Sequence, residues 1–153
     1  MLKSFLIANV CFLLLIAVKA NEKASGCPSP PASYAPCDCT ESSDDSQYFT
    51  LDCSYKHLGD LRVSKILDAF VNGSATGGNR LTRLYLAENQ LTHVPKQIKF
   101  LTQLRRLFIS HNNIASVEIG FFNFTSSLQV FDLYNNNVSS LTIAPEAFKS
   151  KTN

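Results

Sequence analysis

The sequence predicts an α/β solenoid with a short parallel β-sheet along one face, a disulfide-bonded amino terminus and a truncated carboxyl end. Two observations carry this. A pattern of apolar residues and asparagine returns three times between Leu81 and Leu141, and four cysteines crowd the chain ahead of it. The copies read LTRLYLAENQLTHV from Leu81, LRRLFISHNNIASV from Leu104 and LQVFDLYNNNVSSL from Leu128. Each has apolar residues at its first, fourth, sixth, eleventh and fourteenth positions and an asparagine at its ninth. Asn89, Asn112 and Asn136 therefore return after 23 and 24 residues. Fixed periods of this length mark chains whose units stack on their neighbours, because no unit buries its apolar face alone.

Within each copy, Leu84-Tyr85-Leu86, Leu107-Phe108-Ile109 and Phe131-Asp132-Leu133 alternate inward and outward side chains, the period-two pattern of a strand. Stacked in parallel, one strand per copy, they bring each repeated asparagine to the place where the chain turns out of the sheet. There the side-chain amide can both donate to and accept from backbone groups that would otherwise be buried unpaired. The template resembles the leucine-rich repeat, with Phe131 in place of the fourth-position leucine of the third copy. Ile109, Ile114 and Val138 replace leucine elsewhere.

Residues 1–20 have the form of a secretory signal peptide: Lys3, then a mostly apolar run from Phe5 to Val18, then Ala20 before the polar Asn21. The run is shorter than the ~20 apolar residues that span a bilayer, and no second run of that length follows. Cleavage after Ala20 removes two lysines and no acid from a chain of net charge +2, leaving the exported protein formally neutral. No basic stripe points to nucleic acid.

Export removes Cys11 and leaves Cys27, Cys37, Cys39 and Cys53, an even, clustered set that reads as a disulfide framework. A Cys37–Cys39 bridge would close too tight a ring. Spacing leaves two pairings open: Cys27–Cys39 with Cys37–Cys53, or Cys27–Cys37 with Cys39–Cys53. The cluster followed by repeats resembles the cysteine-rich cap of extracellular leucine-rich repeat proteins, and that resemblance implies the first, interlaced pairing. The whole arrangement is also similar to the family of the non-catalytic subunit of decapod luciferin monooxygenase. That likeness implies an accessory role beside an enzyme. A cap has a physical reason, since the first repeat has no neighbour to cover its apolar side.

The domain organisation follows: signal peptide 1–20, cysteine-rich cap 21–60, a helix and loop of an enlarged first unit 61–80, and three repeats 81–153, the last incomplete. Leu51 is assigned the sixth position of that first unit. Val63, Ile66, Leu67 and Phe70 share one helical face, which predicts a helix over 63–70. Asn72-Gly73-Ser74 and Gly77-Gly78-Asn79 predict a surface loop. Asn72, Asn123 and Asn137 open N-x-[ST] triplets and are candidate glycosylation sites. Asn123 lies among Phe121, Phe122 and Phe124, which suggests crowding. The third repeat breaks off after Phe148 without a closing unit, so association through an uncapped end is expected.

Function falls to the outward side chains of the repeats, twelve residues on a face of about 15 Å. In register they form columns: Arg83, Arg106, Val130 and Tyr85, Phe108, Asp132. Glu88, His111 and Asn135 are placed on the same face. Tyrosine and arginine are favoured where interfaces concentrate their binding energy. Arg83, Tyr85, Arg106, Phe108, His111 and Asp132 are accordingly the candidate binding residues, and a protein is the expected partner. Ser110, His111 and Asp132 are the nearest approach to a catalytic set. No nucleophile elbow or oxyanion-forming turn accompanies them. No metal or cofactor is expected, because neither metal-ligand spacing nor a phosphate-binding glycine loop occurs.

Overall fold

The computed structural model describes residues 27, 31–42, 48–72, 80–118, 120–124 and 126–141. The signal-like segment, the loop at 73–79 and the carboxyl end beyond Leu141 lie outside the described residues.

Among the described residues seven strands form two sheets. Strands β1 (Asp38–Glu41), β2 (Phe49–Asp52), β3 (Leu81–Tyr85), β4 (Arg106–Phe108) and β6 (Val130–Asp132) make the larger, in the order β1-β2-β3-β4-β6. β1 pairs antiparallel with β2; every other neighbour is parallel. β5 (Ser116–Val117) and β7 (Ser140–Leu141) pair in parallel as a second, two-stranded sheet. The alternation explains the larger sheet. Leu84, Leu86, Leu107 and Ile109 point to one side and are fully buried, while Arg83, Tyr85, Arg106 and Phe108 occupy the other.

The expected registers hold. Arg83 pairs with Arg106 and Arg106 with Val130; Tyr85 pairs with Phe108 and Phe108 with Asp132. The amino-terminal segment corrects the sequence reading in two ways. Leu51 pairs with Leu84, so it stands at the fourth position, and Cys53 takes the sixth, its N–H donating to Tyr85 O at 2.8 Å. The segment is also more than a lid. It adds β1 and β2 to the sheet, with Phe49 and Leu51 completely buried, so the outer face spans five strands, about 19 Å.

Helix α1 (Asp60–Asn72) buries Val63, Ile66, Leu67 and Phe70, the predicted face, but begins three residues before Val63. Phe70 packs on Tyr34 and Phe49, with ring centroids 5.8 Å and 5.6 Å apart. Arg62 donates from Nη2 to Ala35 O at 2.6 Å and fastens the helix to the cap. On the same outer side, Ile98 and Leu101, within and just after the 3-10 helix Lys96–Phe100, are fully buried. Phe121 packs against Phe131 at 5.6 Å; the side chains of Phe122 and Phe124 lie outside the described residues.

The cap bridges are Cys27–Cys39 and Cys37–Cys53, the interlaced pairing. Cys53 is completely buried beneath the sheet.

The asparagine ladder is continuous. Asn89 Nδ2 donates to Cys53 O (2.9 Å) and Leu86 O (3.1 Å), and its Oδ1 accepts from Leu58 N (2.8 Å). Asn112 repeats this one unit on, donating to Leu86 O (2.9 Å) and Ile109 O (3.1 Å) and accepting from Leu91 N (3.0 Å). Asn136 does the same with Ile109 O, Leu133 O and Ile114 N. Each amide thus joins its own turn to the unit before it. The residue preceding each, Glu88, His111 or Asn135, has a positive φ of 50° to 55°, as does Tyr55 at the matching place in the cap, at 59°. A left-handed step there turns the chain out of the sheet and brings the amide under it. The backbone of a non-glycine residue gives up about 1 kcal/mol at such a step.

Candidate functional site

Five strands lay their outward side chains in rows across the sheet. One row runs Thr40, Thr50, Arg83, Arg106, Val130; the next runs Asp38, Asp52, Tyr85, Phe108, Asp132. Tyr85 and Phe108 stand ring to ring, centroids 4.8 Å apart and planes within 5°. The centroid separation equals the spacing of neighbouring strands. The rings therefore stack along the row, each with one face turned to the other. Their remaining faces look toward Asp52 on β2 and Asp132 on β6.

Both carboxylates are held by the same local device. Asp52 Oδ1 accepts from Ser54 N at 2.9 Å, and Asp132 Oδ1 accepts from Tyr134 N at 3.0 Å. An aspartate bonded to the backbone two residues on makes an Asx turn, which fixes its side chain. Asp38 is paired with Lys56 Nζ at 3.3 Å. Tyr85, Phe108, Asp52, Asp132 and the small Ala87 and Ser110 line a cleft of about 360 Å³. Tyr55, 72% exposed, also lines it, and Tyr134, 73% exposed, follows Asp132 by two residues.

Of the six candidate binding residues, the structure brings five onto these two rows: Arg83, Tyr85, Arg106, Phe108 and Asp132. His111 lies elsewhere. Its positive φ places it in the turn beyond the strand, where Nδ1 is 3.4 Å from Glu88 Oε1 and 2.8 Å from Asn135 Nδ2. Glu88 and Asn135 turn out of the face in the same way, so the sequence reading that put all three on the sheet is corrected. His111 also meets Tyr134 edge-on, at 5.6 Å.

The residues that the sequence reading missed are Asp38, Asp52, Ser54, Tyr55 and Lys56. The signal was in LDCS: Leu51 and Cys53 alternate inward with Asp52 and Ser54 outward, as in the three repeats.

Each candidate glycosylation residue has an exposed side chain. Asn72 is the last residue of α1 rather than part of a loop, Asn123 lies in the 3-10 turn Phe121–Phe124, and Asn137 follows the ladder.

A second polar cluster ties α1 to the first repeat. Asp60 accepts from Thr92 N (3.0 Å) and Thr92 Oγ1 (2.5 Å), and Thr92 Oγ1 lies 2.8 Å from His93 Nδ1. Burial pushes the Asp60 carboxyl up, but hydrogen bonds from Thr92 and His93 N, with the charge of His93, outweigh it and hold the carboxyl below its ordinary value. A folded-state pKa that is depressed adds stability above the unfolded value of about 3.9, and that stability fades as pH falls through the folded one. Asp60→Asn should therefore lower Tm by a few degrees at pH 6 and by less at pH 3. Thermal unfolding at both pH values checks this, and an equal loss at both would contradict the linkage.

Among the described residues no cluster of His, Cys, Asp and Glu is arranged to hold a metal ion, and no helix is long and apolar enough to cross a membrane.

Comparison with protein-family models matches residues 60–114 and 102–150 to the leucine rich repeat. No curated protein and no solved structure matches the chain. Proteins of this family are in general non-catalytic and commonly mediate protein–protein recognition. The match covers more than half of the chain and coincides with the parallel strands and the asparagine ladder, so the protein belongs to the leucine-rich repeat family.

Proposed function

We propose that this protein is an exported recognition module, a solenoid that binds a protein partner non-covalently on the concave face of its larger sheet. The observation that carries the reading is the stacked pair Tyr85 and Phe108, set among Arg83, Arg106 and Asp132 on one open face. Aromatic and arginine side chains are the types that dominate binding energy at interfaces. A face of five strands also comes closer than three to the 20–30 residues a standard interface uses. The two bridges of the cap support export, since disulfides persist in oxidising compartments. Export in turn makes Asn72, Asn123 and Asn137 acceptors for N-glycans.

The test is capture from the source fluid with the wild-type chain and with Tyr85→Ala/Phe108→Ala. Affinity for the captured partner should fall by at least about tenfold in the variant, and full retention would rule out this face. The resemblance of the cysteine cluster to the luciferin-monooxygenase family supports a narrower reading, an accessory subunit of a secreted enzyme. A single stoichiometric partner with enzymatic activity would favour that reading; several weak partners would favour a free-standing recognition module.

A further inference from the structure

A groove of about 510 Å³ runs beside the asparagine ladder, lined by Glu88, His111, Asn113, Asn135, Asn137 and two ladder asparagines. Every one of these side chains ends in a carboxylate, an imidazole or an amide. The groove lacks the apolar and aromatic wall on which small-molecule pockets and protein hot spots rely. It suits a ligand covered in hydroxyl and amide groups. Among the described residues the side-chain amides of Asn113 and Asn137 have no hydrogen-bond partner, so their donors and acceptors are unused.

The chain itself supplies an occupant of that chemistry. Asn137 is exposed and opens the triplet Asn137-Val138-Ser139. Val138 is partly buried against the core, and Ser139 N–H donates to Ala115 O at 3.1 Å, so the triplet is anchored at the third-repeat end of the groove. From there the lining leads back past Asn113 and His111 of the second repeat to Glu88 of the first. Asn113 N–H donates to Leu91 O at 2.8 Å and keeps neighbouring repeats in contact along this side as well. An N-glycan begins with chitobiose, each sugar of which extends about 5 Å, close to the ~4.8 Å from one strand to the next.

We propose that an N-glycan on Asn137 lies back along this groove, its first sugar against Asn113 and His111 and its second toward Glu88. This rests on the protein being exported, since attachment takes place on the secretory route. There Asn137 Nδ2 displaces the oligosaccharide from its lipid-linked pyrophosphate carrier. The N–C bond forms, the C–O bond to pyrophosphate breaks, and the amide gives up one proton. Hydrogen bonds between sugar hydroxyls and side-chain amides are weak singly in water. The covalent link compensates, because a short tether holds its ligand at an effective concentration of about millimolar. The glycan then fastens the three repeats together along the side of the ladder.

The test uses the full chain secreted from its own leader by a eukaryotic host that adds high-mannose glycans. It is compared with Asn113→Ala, with Ser139→Ala, which removes the triplet but no residue of the groove, and with both. Glycopeptide mass spectrometry should find Asn137 occupied. Ser139→Ala should lower Tm by about 2–4 °C. Asn113→Ala should lower it by about 1–2 °C in the glycosylated chain and leave it unchanged in the Ser139→Ala chain, because the amide bonds only the sugar. Asn113→Ala should also speed endoglycosidase H, which cuts between the core sugars, by at least about threefold at Asn137.

A bare Asn137 in the secreted chain, a Tm unmoved by Ser139→Ala, or an Asn113→Ala loss that is the same with and without the triplet would overturn the proposal. A bare Asn137 beside a glycan at Asn72 or Asn123 would sink the groove assignment and leave export standing. A chain that its own leader does not carry out of the cell would remove both.

Discussion

Asn112→Ala is expected to lower the stability of the fold by about 3–5 kcal/mol. Asn112 is buried, at 7% exposure, and its amide serves two units at once. Removing it leaves Leu91 N–H without the acceptor 3.0 Å away, while Leu86 O and Ile109 O each lose one donor but keep those of Asn89 and Asn136. A buried polar group left unpaired costs about 1–3 kcal/mol, each further bond lost about 0.5–1.5 kcal/mol, and the small void adds to that. For a domain of this size such a loss is a large share of the total, since native proteins are stable by only about 5–15 kcal/mol. Tm should fall by roughly 10 °C or more, at about 3–5 °C per kcal/mol for a domain of this length.

Chemical denaturation of wild type, Asn112→Ala and Asn112→Leu separates the causes. Leucine fills the space but bonds nothing, so it should be no better than alanine. A leucine variant as stable as wild type would show that volume, not hydrogen bonding, is what the ladder supplies. Asn136 is only half-buried, so Asn136→Ala should cost less than Asn112→Ala.

Loss of the Cys37–Cys53 bridge is expected to have the next largest effect. Its cysteines are 16 residues apart, and a loop of that length restrains the unfolded chain by about 3 kcal/mol. Cys53 is also a core residue, completely buried at the position that Leu86 and Ile109 fill in the repeats. Cys37→Ala/Cys53→Ala therefore removes a crosslink and thins the packing under β2, for a total of about 3–5 kcal/mol. Cys27 and Cys39 are only partly buried, so the matching double variant should lose less.

Hydrogen exchange adds a spatial check. Amides of β2 should lose protection first in Cys37→Ala/Cys53→Ala, because that bridge ties its end to the cap. If this variant melts within two or three degrees of wild type, the bridge contributes little and the cap is held by packing alone.

The repeats were legible because their physics is local and periodic. Leu84, Leu86, Leu107 and Ile109 declare an inward side, and an asparagine at a constant offset declares the turn that needs it. Parallel register follows, because equal periods bring equal positions side by side. That is why the rows Arg83–Arg106–Val130 and Tyr85–Phe108–Asp132 could be written down before any coordinates. The turn residues were harder. Glu88 and His111 sit next to strand residues in the chain, but their positive φ swings them off the face, and neither residue type signals such a step as glycine would.

By itself, then, the chain determined the repeat, the direction of its side chains, the asparagine ladder and the apolar face of α1, all set by spacing within a few turns. Only the tertiary structure decided that the cap joins the sheet, that Leu51 aligns with Leu84, and that Asp52 faces the Tyr85–Phe108 stack. Those three depend on contacts between residues some thirty positions apart in a unit that breaks the repeat's period. Where the period is lost, sequence spacing no longer measures distance in space, and packing against the neighbouring strand sets the register instead.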